Sequence, residues 1–211
     1  MPVSTLIGDV VRSRRADDRG VLHGRLSRAL DEVNEAYAPV TPLRITVGDE
    51  YQGAFAALGD AVRATLRLRL ALAPEADVRH GLGWGEVTVL EERPRVEDGP
   101  GWWAARDALH AVQRAEGRAA TRHRRTAFRR AEGTAGPDPA LLDALLLLRD
   151  EMVGGLSDRS LSVLRGLLAG STQRAIAAAL EISASAVSQR VRADGLAALV
   201  EADARMQEVV S

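Results

Sequence analysis

The chain has no cysteine and no lysine; all 28 of its basic side chains are arginine. The first absence excludes disulfides, thiolate zinc sites and a cysteine nucleophile. The second excludes a lysine Schiff base and the lysine of a phosphate-binding P-loop. Aromatic residues make up only 3% of the sequence, and the net charge is −1, so no global basic field marks the molecule as a nucleic-acid binder. Any such surface has to be local. No apolar run approaches the ~20 residues of a membrane helix. The N-terminus, MPVSTLIGDVV, lacks the basic stretch and long apolar segment of a secretory signal, so a cytoplasmic protein without membrane partners is expected.

What is present is an apolar fraction of 46% in 211 residues, enough for two modest domains. Residues 3–11, VSTLIGDVV, are short and β-branched and predict a buried strand. From Val21 the period changes, with Leu22, Leu26, Ala29, Leu30 and Val33 on one face of a helix that Pro39 and Pro42 close. Leu43–Val47 and Tyr51–Ala56 predict a hairpin around Gly48, Asp49 and Glu50. A helix from about Asp60, a strand pair or one bent strand over DVRHGLGWGEVTVL, and a helix over GWWAARDALHAVQRAEG follow. This order predicts an α/β or α+β sheet domain with helices over one face. The stretch 131–139 has the Gly, Pro and small-residue content of a linker, and beyond it only helices are expected. The boundaries are thus 1–130, a linker at 131–139, and 140–211.

Adjacent carboxylates at a turn are ordinarily solvated. Asp9 raises a second reading, because it ends the first strand, and a strand lying beside the hairpin would bring Asp9 and Asp49 into one small volume. Two carboxylates within about 4–7 Å favour a divalent cation, and oxygen ligands alone select Mg²⁺ or Mn²⁺. Glu50 alternates away from Asp49 and is the lesser candidate ligand. Arg12, Arg14 and Arg15 in the following loop are candidate phosphate ligands. His80 is read as a structural strand histidine.

LIGDVVRSR, ITVGDEYQG and VRHGLGWGEV, in this order, resemble the SatD family and, more distantly, the palm domain of class III nucleotidyl cyclases and GGDEF-type diguanylate cyclases. That resemblance implies a ferredoxin-like, palm-type antiparallel sheet. It implies metal ligation by Asp9 and Asp49, with a nucleotide as ligand. Arg79, Gly81, Leu82, Gly85 and Val87 match a cyclase strand pattern, and Ala104, Ala105 and Arg106 match a cyclase helix whose arginine contacts the triphosphate. The match departs at Trp102, Ile45 and Gly83, where the cyclase pattern has the ribose-positioning Asn, the base-reading Lys and a His.

Residues 157–199 carry helix-turn-helix spacing. Ile176, Ala177 and Leu180 form one inner face, Ile182 the turn, and Val187 and Val191 the second inner face. The segment resembles the DNA-binding part of sigma-factor region 4, with the second helix in the major groove. Ser183, Ser185, Ser188, Gln189, Arg190 and Arg192 are left exposed on it, and Ser185, Ser188, Gln189, Arg190 and Arg192 are the candidate DNA contacts. Glu181 stands where a turn glycine is common. A further basic stretch, RAATRHRRTAFRR at 118–130, is a candidate for added phosphate contacts, although an arginine-rich helix face is ordinarily only solvated. The reading is a DNA-binding regulator whose palm domain binds Mg²⁺ or Mn²⁺ and a nucleotide, with little or no turnover. Its rivals are an active Mg²⁺-dependent cyclase or transferase, for which Arg106 is the candidate catalytic group, and a structural protein with vestigial sites. A homodimer is one arrangement that the sequence leaves open.

Overall fold

In the computed structural model, which describes residues 1–11 and 18–209, Val3–Val10 is the central strand, β1. After it come α1 (Arg19–Tyr37), the hairpin β2 (Thr41–Val47) and β3 (Glu50–Phe55), α2 (Leu58–Leu72) and β4 (Val78–Gly85). A small hairpin of β5 (Thr88–Glu92) and β6 (Arg95–Asp98), α3 (Pro100–Ala115), and β7 (Thr126–Arg130) complete the sheet region. The five-stranded sheet has the order β2-β3-β1-β4-β7, antiparallel except for the parallel β4–β7 pair. This is the α+β, palm-type class that the sequence implied.

The side-chain period of two explains how the sheet is covered. Even positions of β4, Val78, Leu82 and Trp84, join Leu26, Leu30 and Val33 of α1 and Leu58 and Val62 of α2 in the main core. Odd positions are Gly81, Gly83 and Gly85, and they face α3. A Cβ on Gly81 or Gly83 would fall onto the α3 backbone at Ala105, Leu109 or Gly101. The glycines therefore let α3 lie directly on the strand, and the helices cover both faces rather than one. Trp102, one of two adjacent tryptophans, is buried in this second layer with Ile7, Ala54, Ala105 and Leu109. Trp103 points outward, and its Nε1 donates to Asp98 at 2.8 Å.

Residues 118–130 do not form one basic helix. Thr126, Ala127 and Phe128 are fully buried in β7, which pairs with His80–Trp84. The arginines flank this buried triplet, which hides the strand signal in the sequence. The stretch 131–139 is also docked. Ala131 N donates to the Trp84 carbonyl at 2.8 Å, and Trp84 Nε1 donates to the Ala135 carbonyl at 2.9 Å.

Helix α4 (Pro139–Gly154) starts at Asp138, whose side chain caps Ala140 N and Leu141 N, with Pro139 in the first turn. It packs on the sheet through Leu142 and Leu146, which belong to the same core as Phe128 and Trp84. α4, which follows the connection at 131–139, thus packs against the sheet. Helices α5 (Asp158–Leu168), α6 (Gln173–Ala179), α7 (Ala184–Ala193) and α8 (Leu196–Met206) follow. Ser157, Thr172 and Ser183 cap the first three, each worth about 1 kcal/mol. Their shared core includes Leu164, Ile176, Ala177, Val187 and Leu199, and it rests on Leu66 and Leu70 of α2. Among the described residues no helix is long and apolar enough to cross a membrane.

Candidate functional site

At the end of β1, Asp9 lies opposite Arg79 in the strand register. The guanidinium is bidentate on the carboxylate, with Nε to Oδ1 at 2.7 Å and Nη2 to Oδ2 at 3.2 Å. Gln113 Nε2, from α3, also donates to Asp9 Oδ2 at 3.0 Å. Glu50, on the neighbouring strand β3, is bidentate on Arg106 of α3, at 2.6 and 2.9 Å. These hydrogen bonds, more than the charge alone, hold the Arg106 guanidinium above its ordinary range. Asp9, Glu50, Arg79 and Arg106 are thus brought together on the α3 side of the sheet as two carboxylate–guanidinium pairs.

Asp49 is not brought into this cluster. Its Oδ2 accepts from Val10 N at 3.2 Å, and its side chain lines a cleft of about 320 Å³ with Arg19, His23 and Leu26 on the α1 side. Asp9 and Asp49 thus have different partners, Asp9 the Arg79 and Gln113 side chains and Asp49 the β1 backbone. Asp9 shares the side of Ile7 and the glycine face of β4, whereas Asp49 sits in the hairpin turn and folds back onto the β1 backbone. Both Asp9 oxygens accept from Arg79 or Gln113, so a Mg²⁺ or Mn²⁺ ion at Asp9 would compete with the guanidinium for the carboxylate. Among the described residues no group of three or more His, Asp or Glu is placed to hold one. Arg12, Arg14 and Arg15 lie outside the described residues.

From Asp9 the charges continue inward. Arg79 reaches Glu116 at 3.2 Å, Arg125 bridges Glu116 at 3.9 Å and Asp77 at 2.6 Å, and Arg69 links Asp77 at 3.0 Å to Asp150 of α4 at 3.5 Å. Asp150 is fully buried, and its Oδ2 accepts from Arg125 N and Thr126 N at 2.7 and 2.5 Å. Asp143 accepts from Phe128 N at 2.8 Å. The outer edge of β7 is thereby closed by carboxylates of α4 instead of another strand. Periodicity gave no sign of this, because two acids in a leucine-rich helix read as ordinary surface residues.

Gly8 explains another local choice. It lies opposite both Tyr51 and His80, and a Cβ there would enter the Tyr51 ring. Tyr51 Oη and His80 Nε2 meet across it at 2.7 Å. Burial, ahead of the nearby Arg149 and Arg69, pushes His80 well below its usual pKa and keeps the imidazole neutral. Burial likewise raises Tyr51, so the hydroxyl stays protonated. This supports the structural reading of His80.

The second candidate surface is the α6–α7 pair. Glu181 adopts a left-handed φ of +53° in the turn, the conformation glycine takes more readily. Val187 is buried and Val191 half-buried against the helical core. Ser185, Gln189 and Arg192 are exposed and Ser188 half-exposed, at positions i, i+3, i+4 and i+7, so all four share one outward stripe. Arg190 is set apart from them, half-buried, with Nη1 donating to the Ala186 carbonyl at 3.3 Å.

Solved structures similar to the chain include a bacterial light-regulated adenylyl cyclase, with 13% identity over 54% of this chain and 41% of that one, at a TM-score of 0.46. The chain thus spans about two-fifths of that protein's length. The catalytic core of a rhodopsin-guanylyl cyclase is similar at 19% identity over 52% and 71% of the two chains, TM-score 0.43. The guanylyl cyclase domain of a RhoGC fusion protein from the aquatic fungus Blastocladiella emersonii is similar at 17% over 52% and 73%, TM-score 0.44. No curated protein matches. The family model described as the SatD family matches residues 4–135, from the start of β1 into the docked connection after β7. That is more than half of the sequence, and the chain belongs to the SatD family.

Proposed function

We propose that this chain is a DNA-binding regulator that reads the major groove with α7. One observation carries the reading: Ser185, Ser188, Gln189 and Arg192 form a single outward stripe on the second helix of a capped helix-turn-helix pair. Gln pairs bidentately with adenine and Arg with guanine, and serine donates to phosphate or base edges. Exposed Arg174 on α6 is available for the phosphate backbone. Arg190, tied to its own helix, contributes less than Arg192 in this reading.

The palm-type region is the part that senses. Arg106 and Glu50 are about one-third exposed, at 39% and 30%, so a phosphorylated ligand can compete with Glu50 for the guanidinium. Asp9, held by Arg79, needs no cation to balance its charge. The ion-paired chain from Asp9 to Asp150 supplies a physical connection between such a site and α4, which precedes the helix-turn-helix.

The test is fluorescence anisotropy of the full chain with labelled duplex DNA at several salt concentrations. Phosphate neutralisation makes log K fall linearly with log salt, with a slope of about −0.9 per phosphate contacted. Arg174→Ala reduces the slope by about one, whereas Gln189→Ala weakens binding to a preferred sequence without changing it. Slopes identical in all three proteins overturn the assignment of α6 and α7.

A further inference from the structure

We propose that the outward face of α4, with α8 beside it, binds a second copy of this chain. Helix α4 is apolar on two sides. Leu142, Leu146 and Val153 are buried inward, while Leu141 is 74%, Leu145 36%, Leu148 66% and Met152 40% exposed. A helix apolar all round is ordinarily covered all round. Leu145, Leu148 and Met152 border a groove of about 250 Å³, which Ala198 and Ala202 of α8 extend with side chains small enough for a second helix to approach.

Three features select the occupant. The first is spacing: positions 141, 145, 148 and 152 are separated by 4, 3 and 4 residues, a pattern that reads the same from either end. Across a two-fold axis, antiparallel α4 helices place Leu141 against Met152 and Leu145 against Leu148, which is the self-complementarity of an isologous interface. The second is area. The four side chains expose on the order of 300–400 Å² of apolar surface, in the range of functional patches. With Ala198 and Ala202 of α8 the face falls in the small-interface range, under about 600 Å² per partner. The third is charge. The charged residues that line the groove are engaged within the chain, Arg149 by Asp150 and Asp203 by Arg63 and Arg67, and on α8 Glu201 and Arg205 bridge each other at 2.9 Å. With its cations paired in this way, the face suits neither nucleic acid nor an anionic lipid surface.

The surface stands independently of what α7 binds, and its test needs no DNA. Sedimentation velocity of the full chain is expected to show a dimer that Leu145→Glu/Leu148→Glu converts to monomer, with dimerisation weakened at least ~100-fold by the like charges brought together. Thermal unfolding measured on the monomeric species should be little changed, since both side chains are exposed there. The native sequence is free of cysteine, so Leu145→Cys/Leu148→Cys gives a second readout if the charged variant does not fold. Mild oxidation should cross-link two copies, while Val47→Cys, 79% exposed on β2, should not. A chain that stays monomeric up to about 100 µM, leaving the face to a different partner, overturns the proposal. So does a dimer that survives the charged variant, or cross-linking that is equal at Val47.

Discussion

Replacing Asp150 with alanine should cost more stability than any other single polar change among those considered. Its carboxylate is fully buried and accepts from the backbone N–H groups of Arg125 and Thr126 at the start of β7, and Arg149 and Arg69 approach Oδ1 at 3.3 and 3.5 Å. Alanine leaves Arg125 N and Thr126 N without acceptors, at roughly 1–3 kcal/mol for each donor that water does not reach. It also leaves the buried Arg149 guanidinium without its carboxylate, and breaking a buried pair from one side costs about 3–5 kcal/mol. These terms overlap, so a total near 3–5 kcal/mol is expected, against about 5–15 kcal/mol for a whole domain. Asp150→Asn keeps one acceptor oxygen and should lose about 1–3 kcal/mol. Urea unfolding followed by far-UV circular dichroism reads both, with the midpoint falling furthest for alanine. A loss under about 1 kcal/mol for Asp150→Ala would mean that α4 does not close the β7 edge, and that the packing of α4 on the sheet is wrongly explained.

Gly83→Ala puts a Cβ onto the backbone of Gly101 and Ala105, which no side-chain rotation relieves, so we expect loss of folding or at least ~3 kcal/mol. Gly24→Ala, with open space around it inside α1, should be neutral or stabilising by up to about 1 kcal/mol, and equal effects at the two sites would refute the strand-to-helix contact. For His80 the folded pKa is depressed below 6.5 while the unfolded imidazole titrates near 6.5. The unfolded chain therefore binds more protons below that pH. This group's contribution to stability is full above about pH 6.5 and falls by up to ~1.4 kcal/mol per unit as the pH drops, until the folded value is reached. His80→Gln should flatten that slope in urea titrations between pH 7.5 and 5.5, and an unchanged slope would place the titration elsewhere.

Local periodicity made much of this fold legible. The inward face of α1, the hairpin around Gly48 and the α6–α7 pair follow from spacing alone, because each buries a face whose period the sequence repeats. The glycines of β4 announced a close approach but not that α3 makes it, since the spacing of Gly81, Gly83 and Gly85 is local while the helix lies about twenty residues on. β7 was hidden by its arginines, and its edge by acids on a helix still further along the chain. The candidate site was legible as residue types and not as partners. Asp9, Glu50 and Arg106 stand together, yet cross-strand register gives Asp9 to Arg79, and Asp49 turns onto the β1 backbone. Pairing depends on which strand ends are neighbours and which side each faces, and a residue string carries neither.

The central claim is that α7 recognises DNA by sequence, and selection of bound duplexes from a randomised pool by the full chain tests it most directly. The account predicts an enriched sequence, bound at least ~10³-fold more tightly than the unselected pool. Within it, Gln189→Ala or Arg192→Ala should relax the preference at one base position each, at about 1–3 kcal/mol, while Arg190→Ala leaves the preference in place. No enrichment at any salt concentration, or an enriched sequence bound equally by the Gln189→Ala/Arg192→Ala variant, would contradict it.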